Sequence, residues 1–343
     1  MRWSIISKAL KVATPHIGVL FLFLALAYLF VPEVLSGKKI APGDILHAQS
    51  SRKDLVDYQE NTGKVSRWTN RSYSGMPADQ MFGVHPGNWP RNAIQQFARF
   101  FKNPAYQFLL YFLGFYIAMV AMGYAWWLAG IGAVAFGFST YNVLLIDVGH
   151  TAKALAISMT PPILAGAWLL LRQKFVLGFW LVVCFLTIQI AENHLQITYY
   201  TFLVVGLLFL VDMVKKLKTN RWKIIFKPIA VFSLAAFISL LPNTSLLWST
   251  YDYAPETVRG KQVLTESKKD GDGLSSGYAN VFSQGIEESL TLLIPRYKGG
   301  ADYEWLGSGA ATYGTLKNSG LETARLDGDK VAAPLYWGGQ PLS

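Results

Sequence analysis

Short polar groups interrupt an otherwise apolar chain, and they contain the side chains best suited to chemistry. The six candidates are Asp44, His150, Lys153, His194, Gln196 and Arg259. The carboxylate of Asp44 can take a proton from an attacking hydroxyl group, which accelerates such reactions by roughly 10²–10⁴-fold. The cationic and hydrogen-bonding side chains can stabilise negative charge that grows in a transition state, and Arg259 offers forked donors. These residue types fit acid–base chemistry beside a developing negative charge.

Apolar segments must position these side chains. Hydrophobic residues form 52% of the chain and charged residues only 15%, a balance typical of a polytopic membrane protein. A hydrocarbon core of ~30 Å needs about 20 mostly apolar helical residues. Such windows begin near Pro15, Tyr106, Gly123, Thr151, Phe175, Ile197 and Ile224. We therefore predict an all-α membrane protein with about seven transmembrane helices.

The lysines and arginines beside the spans predict their orientation. Clusters lie before span one (2–11), after span four (172–174) and between spans six and seven (215–227). If the spans alternate, all three clusters are cytoplasmic, as the positive-inside rule requires. The amino terminus is then cytoplasmic, and all six candidate residues lie on the outer face. The net charge of +10 is mostly topology signal and does not indicate nucleic-acid binding.

The same spans divide the chain. We predict a cytoplasmic amino terminus (1–14), a seven-span module (15–248) that includes an outer loop (36–104), and an extracytoplasmic segment (249–343). Within the outer loop, Asn92 to Lys102 sets apolar residues against basic and polar ones, as an interfacial helix does. The apolar residues of this helix are Ile94, Phe97, Phe100 and Phe101.

Several simpler interpretations stay open. The first apolar segment imitates a signal peptide, but the apolar run continues through Tyr28 to Leu35, which favours a span. His150 and His194 could only cap helices, Lys153 could only extend its ammonium to the interface, and Asp44 could only cap the helix that starts near Ile45. The sequence contains no HExxH or GxxxxGK[ST] motif, which argues against a zinc protease and an ATP-driven pump, and Gly137-Phe138-Ser139 does not complete a GxSxG elbow.

Five motifs, in this order and placement, resemble the bacterial YfhO family over most of the chain. They are Gly43-Asp44-Ile45, Trp68-Thr69-Asn70 with Gly75-Met76-Pro77, Gly149-His150 with Lys153, Asn193-His194-x-Gln196, and Glu256-Thr257-x-Arg259-Gly260. That family is similar to the GT-C glycosyltransferases, which transfer a sugar from a polyprenyl-phosphate carrier on the extracytoplasmic side.

The resemblance implies a multi-pass enzyme of the bacterial cytoplasmic membrane with a cell-envelope glycan or polymer as acceptor. It implies Asp44 as the catalytic base. His150, Lys153, His194, Gln196 and Arg259 are then expected to bind the lipid phosphate. Family members are longer, so the chain is expected to be an amino-terminal fragment. No cofactor is predicted; Asp44 could hold a divalent cation with Asp147 or Glu192, but no spacing supports such a site.

Two other classes of function compete with the enzyme. A transporter or lipid flippase would line a conduction path with the same polar residues, and it often has broken helices or charges near mid-membrane. The predicted span interiors are nearly free of charge, which favours an enzyme acting at the outer interface. A non-catalytic membrane scaffold is the third possibility.

Overall fold

A computed structural model describes residues 2–38, 43–72, 74–78, 85, 87–257, 287–294, 297, 301–306, 308, 326–327 and 330–335. Most of these residues are helical, which confirms the predicted predominance of helix. The helices are α1 (Arg2–Phe30), α2 (Gly43–Ser51), α3 (Lys53–Thr62), α4 (Trp89–Phe101), α5 (Ala105–Met122), α6 (Trp126–Gly137), α7 (Thr140–Asp147), α8 (Thr151–Leu171), α9 (Phe175–Ala191), α10 (Leu195–Lys218), α11 (Phe226–Leu240) and α12 (Thr244–Tyr253).

Within the described residues, four helical segments are long and apolar enough to cross a membrane. They are Ala13–Phe30, Thr151–Leu171, Leu195–Lys218 and Trp222–Glu256. The bent pair α6 and α7 makes a fifth if the two helices form one span. The apolar helices Ala105–Ala121 and Phe175–Ala191 are shorter, at about 25 Å each from a rise of 1.5 Å per residue. The chain therefore has several apolar helices of membrane-spanning length.

The third predicted span is not one continuous helix. It breaks at Phe138 and Ser139, and α6 and α7 meet at an angle of 49°. A break leaves backbone carbonyls without helical partners. The buried side chain of Asn142 donates a 2.7 Å hydrogen bond to the carbonyl of Phe136, which also accepts from the N–H of Ser139 at 3.2 Å. The expected straight span is thus replaced by a bend that the side chain of Asn142 stabilises.

Helix α8 lies at the centre of the bundle, between α5 and α9. A side chain at Gly114 of α5 would collide with the backbone oxygen of Ser158 in α8. Likewise, a Cβ on Gly178 of α9 would lie 2.8 Å from the carbonyl oxygen of Gly166 in α8. Small residues let membrane helices approach this closely. The close contacts hold α8 between its two neighbours, and the first turn of α8 and the residue before it carry two candidate site residues, Lys153 and His150.

Short strands, which the all-α prediction lacked, lie outside the apolar helices. β1 (Trp68–Thr69) pairs antiparallel with β2 (Met76–Pro77) in the loop before α4. Near the carboxyl end, β3 (Ala301–Leu306), β4 (Leu326–Asp327) and β5 (Lys330–Leu335) form an antiparallel sheet in the order β3-β5-β4.

The predicted interfacial helix exists as α4, but most of its apolar side faces the protein. Ile94, Phe97 and Phe101 are partly buried against the hydrophobic core. In contrast, Phe100 is 77% exposed and Trp89 is 66% exposed. The side chain of Asn88 caps the helix by accepting a hydrogen bond from the backbone N–H of Arg91. The amphipathic pattern therefore reports packing against the bundle more than insertion among lipid headgroups.

Candidate functional site

A cavity of about 510 Å³ joins three parts of the chain that are distant in sequence. Ile45 and Ala48 of α2 line one side, and Arg52 follows in the turn before α3. The turn before α8 and the first turn of that helix line another side. The cavity residues there are Gly149, His150, Thr151, Ala152 and Lys153. His194, immediately before α10, completes the lining. Three of the sequence-predicted site residues, His150, Lys153 and His194, therefore share one cavity.

The turn between α7 and α8 places His150 and Lys153. Gly149 has a positive φ of 85°, a conformation that glycine adopts without strain. His150 then stands at the amino-terminal cap of α8, and its backbone oxygen accepts from the N–H of Ala154. Lys153 lies in the first helical turn, with its ammonium 5.5 Å from the centre of the Tyr141 ring. The free N–H groups and the positive dipole at a helix start favour an anion in the cavity.

His194 is partly buried at the start of α10. The preceding residue, Asn193, has a positive φ of 55°. The Nδ1 atom of His194 is buried and has no hydrogen-bond partner within the described parts of the chain. Burial lowers the pKa of His194, and the positive charges of Lys153 and His150 lower it further. The ring is therefore neutral at pH 7 and offers a hydrogen bond, not a positive charge.

Arg52 is the cavity residue that sequence reasoning missed. It occupies the short turn between two polar helices and belongs to no recognisable motif. The hydrogen bonds that hold this region come from α3: Asp54 accepts from the hydroxyl of Thr69 at 2.8 Å and from the N–H of Asn70 at 3.3 Å. Arg52 follows Ala48 by one helical turn, and this spacing could have indicated that the two residues share a face. The same spacing is common in surface helices, so it did not single out Arg52.

Of the three other predicted site residues, only Gln196 is described with its side chain, and it does not line the cavity. Gln196 is exposed and donates a 2.7 Å hydrogen bond to the hydroxyl of Tyr200 instead of lining the cavity. Arg259 lies outside the described residues. Asp44 is the second residue of α2, and its side chain also lies outside the described part. Along the backbone, Asp44 precedes the cavity residue Ala48 by one helical turn.

Glu192 lies two residues before His194, in the turn between α9 and α10. Burial raises its pKa to about 7, and the nearby guanidinium of Arg91 opposes this rise. It is not one of the cavity residues. Among the described residues, no cluster of three or more His, Cys, Asp or Glu side chains could hold a metal ion. The divalent site considered for Asp44 with Asp147 or Glu192 therefore has no support from the described residues.

No family model, curated protein or solved structure matches this chain.

Proposed function

We propose that this protein is a membrane glycosyltransferase of the GT-C type. It moves a sugar from a polyprenyl-phosphate donor to a cell-envelope acceptor on the extracytoplasmic face. The donor phosphate binds in the cavity that His150, Lys153 and His194 share. In this proposal the protein lies in the bacterial cytoplasmic membrane with its amino terminus in the cytoplasm, as the YfhO resemblance implies.

The observation that carries the proposal is that one cavity is lined by Lys153, Arg52, His150 and His194. Lys153 and Arg52 supply positive charge, and His150 lies beside them at the start of α8. As the sugar–phosphate bond breaks, negative charge grows on the phosphate. Fixed cations, donors and a helix start close to that charge lower the barrier. A cavity with these features fits a phosphate leaving group better than a neutral ligand.

The proposed base is Asp44. Its helix, α2, lines the cavity through Ile45 and Ala48, so the backbone of Asp44 lies at the edge of the phosphate site. An acceptor hydroxyl is a poor nucleophile, and a carboxylate within hydrogen-bond reach makes it a better one. His194 is neutral because of its surroundings, so it donates or accepts a hydrogen bond. Lys153 and Arg52 supply the positive charge that balances the charge of the phosphate.

The proposal includes seven membrane crossings, which contacts between the helix ends support. Residues in contact at one membrane face must be separated by an even number of crossings. His150 and His194 line the same cavity, so α9, although short, must return across the membrane after α8. Gln107, near the start of α5, approaches Thr151, at the start of α8, to 3.5 Å, so α5 and the bent pair either both cross or both do not, and the proposal takes both as crossing. With α1, α10 and α11 the total is seven.

A transporter or lipid flippase is the second candidate, and one observation favours it. The break between α6 and α7 resembles the discontinuous helices that line substrate paths in transporters. The bend lies close to the site, because Tyr141 of α7 contacts Lys153. In this alternative the cavity binds the lipid phosphate without cleaving the sugar from it.

Membrane vesicles supplied with a polyprenyl-phosphate that carries a tritiated hexose separate the two candidates. We expect tritium to enter the polymer fraction in vesicles that contain the protein. We expect this transfer to fall by about 10²-fold in a Lys153→Gln variant, as for loss of one oxyanion donor. Lys64→Gln, which removes an exposed charge elsewhere in the loop, is the matched control. Movement of intact carrier between leaflets without any transfer would contradict the enzyme and support the flippase.

A further inference from the structure

A basic patch lies at the end of the bundle opposite the cavity. We define it by Arg172, Lys174, Lys218, Arg221, Lys223 and Lys227. Two of these residues lie in the turn after α8, and the other four lie between the last residue of α10 and the first turn of α11. The two turns meet where the ammonium of Lys227 lies 4.4 Å from the centre of the Phe175 ring. Helix α8 separates the basic patch from the cavity by about 30 Å, its 21 residues rising 1.5 Å each.

The positive charge of the basic patch is largely uncompensated. Residues 172–174 and 212–227 contain a single acidic residue, Asp212, and it forms an ion pair with Lys216. Four members of the patch lie within ten residues of one another, between Lys218 and Lys227. The packing of α9 on α11 brings the other two, Arg172 and Lys174, beside them. Such a concentration of like charge is destabilising by itself and is relieved by a bound anion.

The turn that carries the basic patch is held in one conformation. Asn220 has a positive φ of 54°, and the N–H of Arg221 donates a 2.8 Å hydrogen bond to the carbonyl of Lys216. The hydroxyl of Thr219 caps the end of α10 through the carbonyls of Lys215 and Lys216. The cations therefore lie on an ordered turn, so that the protein loses less conformational entropy when a ligand binds.

Exposed apolar side chains begin directly beside these cations. Trp222 is 39% exposed, and its ring packs edge-on against Phe226, which is 57% exposed. On α10, Val214 and Leu217 are also exposed and lead away from the patch along the helix. A ligand that fits both features has an anionic head and an apolar tail. A tryptophan ring at such a boundary is typical of a membrane interface.

We infer that the basic patch binds the phosphate headgroup of an anionic phospholipid, with the acyl chains along the exposed sides of α10 and α11. The positive-inside rule accounts for basic residues on this face, but it requires neither a capped turn, nor an exposed tryptophan beside the cations, nor the junction of two turns through Lys227 and Phe175. Basic pockets between transmembrane helices bind anionic headgroups in this way.

The test uses the purified full chain in a neutral detergent, with phosphatidylglycerol added at increasing concentration. Thermal midpoints report binding, because a ligand that binds only the folded state raises them. Phosphatidylcholine and soluble glycerol phosphate are added in parallel. We expect phosphatidylglycerol alone to raise the midpoint. Two cations near an anionic lipid correspond to roughly a 30-fold change in affinity, and Arg221→Gln with Lys223→Gln should lower the affinity by that factor.

A double variant with two exposed loop lysines changed, Lys38→Gln with Lys64→Gln, is the matched control and should bind phosphatidylglycerol like the wild type. Exchanging the two patch residues for one another's type, Arg221→Lys with Lys223→Arg, keeps the charge and should keep most of the binding. An equal effect of phosphatidylcholine or of glycerol phosphate overturns the inference, as does equal loss of binding in the control variant.

Discussion

The side chain of Asn88 donates a buried 2.6 Å hydrogen bond to the side-chain oxygen of Asn243. The first residue belongs to the long loop before α4, and the second lies between α11 and α12, more than 150 positions later. The contact anchors the loop onto the end of the last apolar helix. In the proposed topology an even number of membrane crossings separates the two residues, because α5 to α11 make six crossings when α6 and α7 count as one.

We expect Asn243→Ala to destabilise the protein by about 2–4 kcal/mol. Asn243 accepts from Asn88 and donates to the carbonyls of Thr187 and Ser239, so its loss leaves buried polar groups unpaired. Thermal unfolding in detergent measures the effect. Gln95→Ala, at an exposed position of α4, should change stability by no more than ~0.5 kcal/mol. Equal stability of the two variants would contradict the anchoring role.

The seven-crossing topology predicts which positions an impermeant thiol reagent reaches on intact cells. In a Cys184→Ser background, cysteines placed at Lys64 and Gln196 should be labelled, because both are exposed on the proposed outer face. A cysteine at Lys215, exposed at the opposite end of α10, should be spared until the cells are permeabilised. Labelling of position 215 alone would invert the topology.

Burial of Glu192 predicts a pH dependence of stability. Its pKa is about 7 in the folded protein and 4.5 ordinarily, so between these values the folded state binds more protons than the unfolded state. Stability should therefore fall as the pH rises from about 4.5 to 7, by on the order of 2–3 kcal/mol, and then level off. Thermal midpoints of the wild type and of Glu192→Gln across this range measure the effect. A slope that survives in the variant would assign it to another group.

The packing of α4 predicts opposite outcomes for two neighbouring phenylalanines. Phe97→Ala should destabilise the bundle by about 1–3 kcal/mol, because the Phe97 ring packs against the hydrophobic core. Phe100→Ala should leave the free energy of unfolding within ~0.5 kcal/mol, since Phe100 is 77% exposed. Equal losses would mean that α4 has rotated about its axis relative to this structure.

The apolar windows of the sequence predicted several helix starts closely. Thr151 and Phe175 begin α8 and α9 as predicted, and Tyr106 is one residue from the start of α5. Apolar length decides these elements, and the sequence displays it directly. The break at Phe138 was missed because the short polar run that follows it, Ser139-Thr140-Tyr141-Asn142, is itself followed by apolar residues. At this break, Gly137, the last residue of α6, lies so close to Phe112 of α5 that a Cβ there would collide with the ring.

The site was predictable only where polar residues stood out against apolar sequence. His150, Lys153 and His194 adjoin apolar helices and were found. Arg52 stands among other polar residues, and its place in the cavity depends on how α2 folds back over the start of α8. The pKa of His194 was equally hidden, because it depends on burial and on the charge of Lys153. Both are consequences of tertiary packing, which no local pattern encodes.

The central claim, that Asp44 acts as a base beside a lipid-phosphate site, is tested most directly by the initial rate of sugar transfer in an Asp44→Asn variant. Asparagine caps a helix as well as aspartate does but cannot take a proton. Asp57→Asn, which breaks the exposed ion pair with Lys53, is the matched control. We expect Asp44→Asn to lower the transfer rate by at least about 10²-fold, with donor binding retained and the control unchanged. Transfer at the wild-type rate by Asp44→Asn would contradict the account.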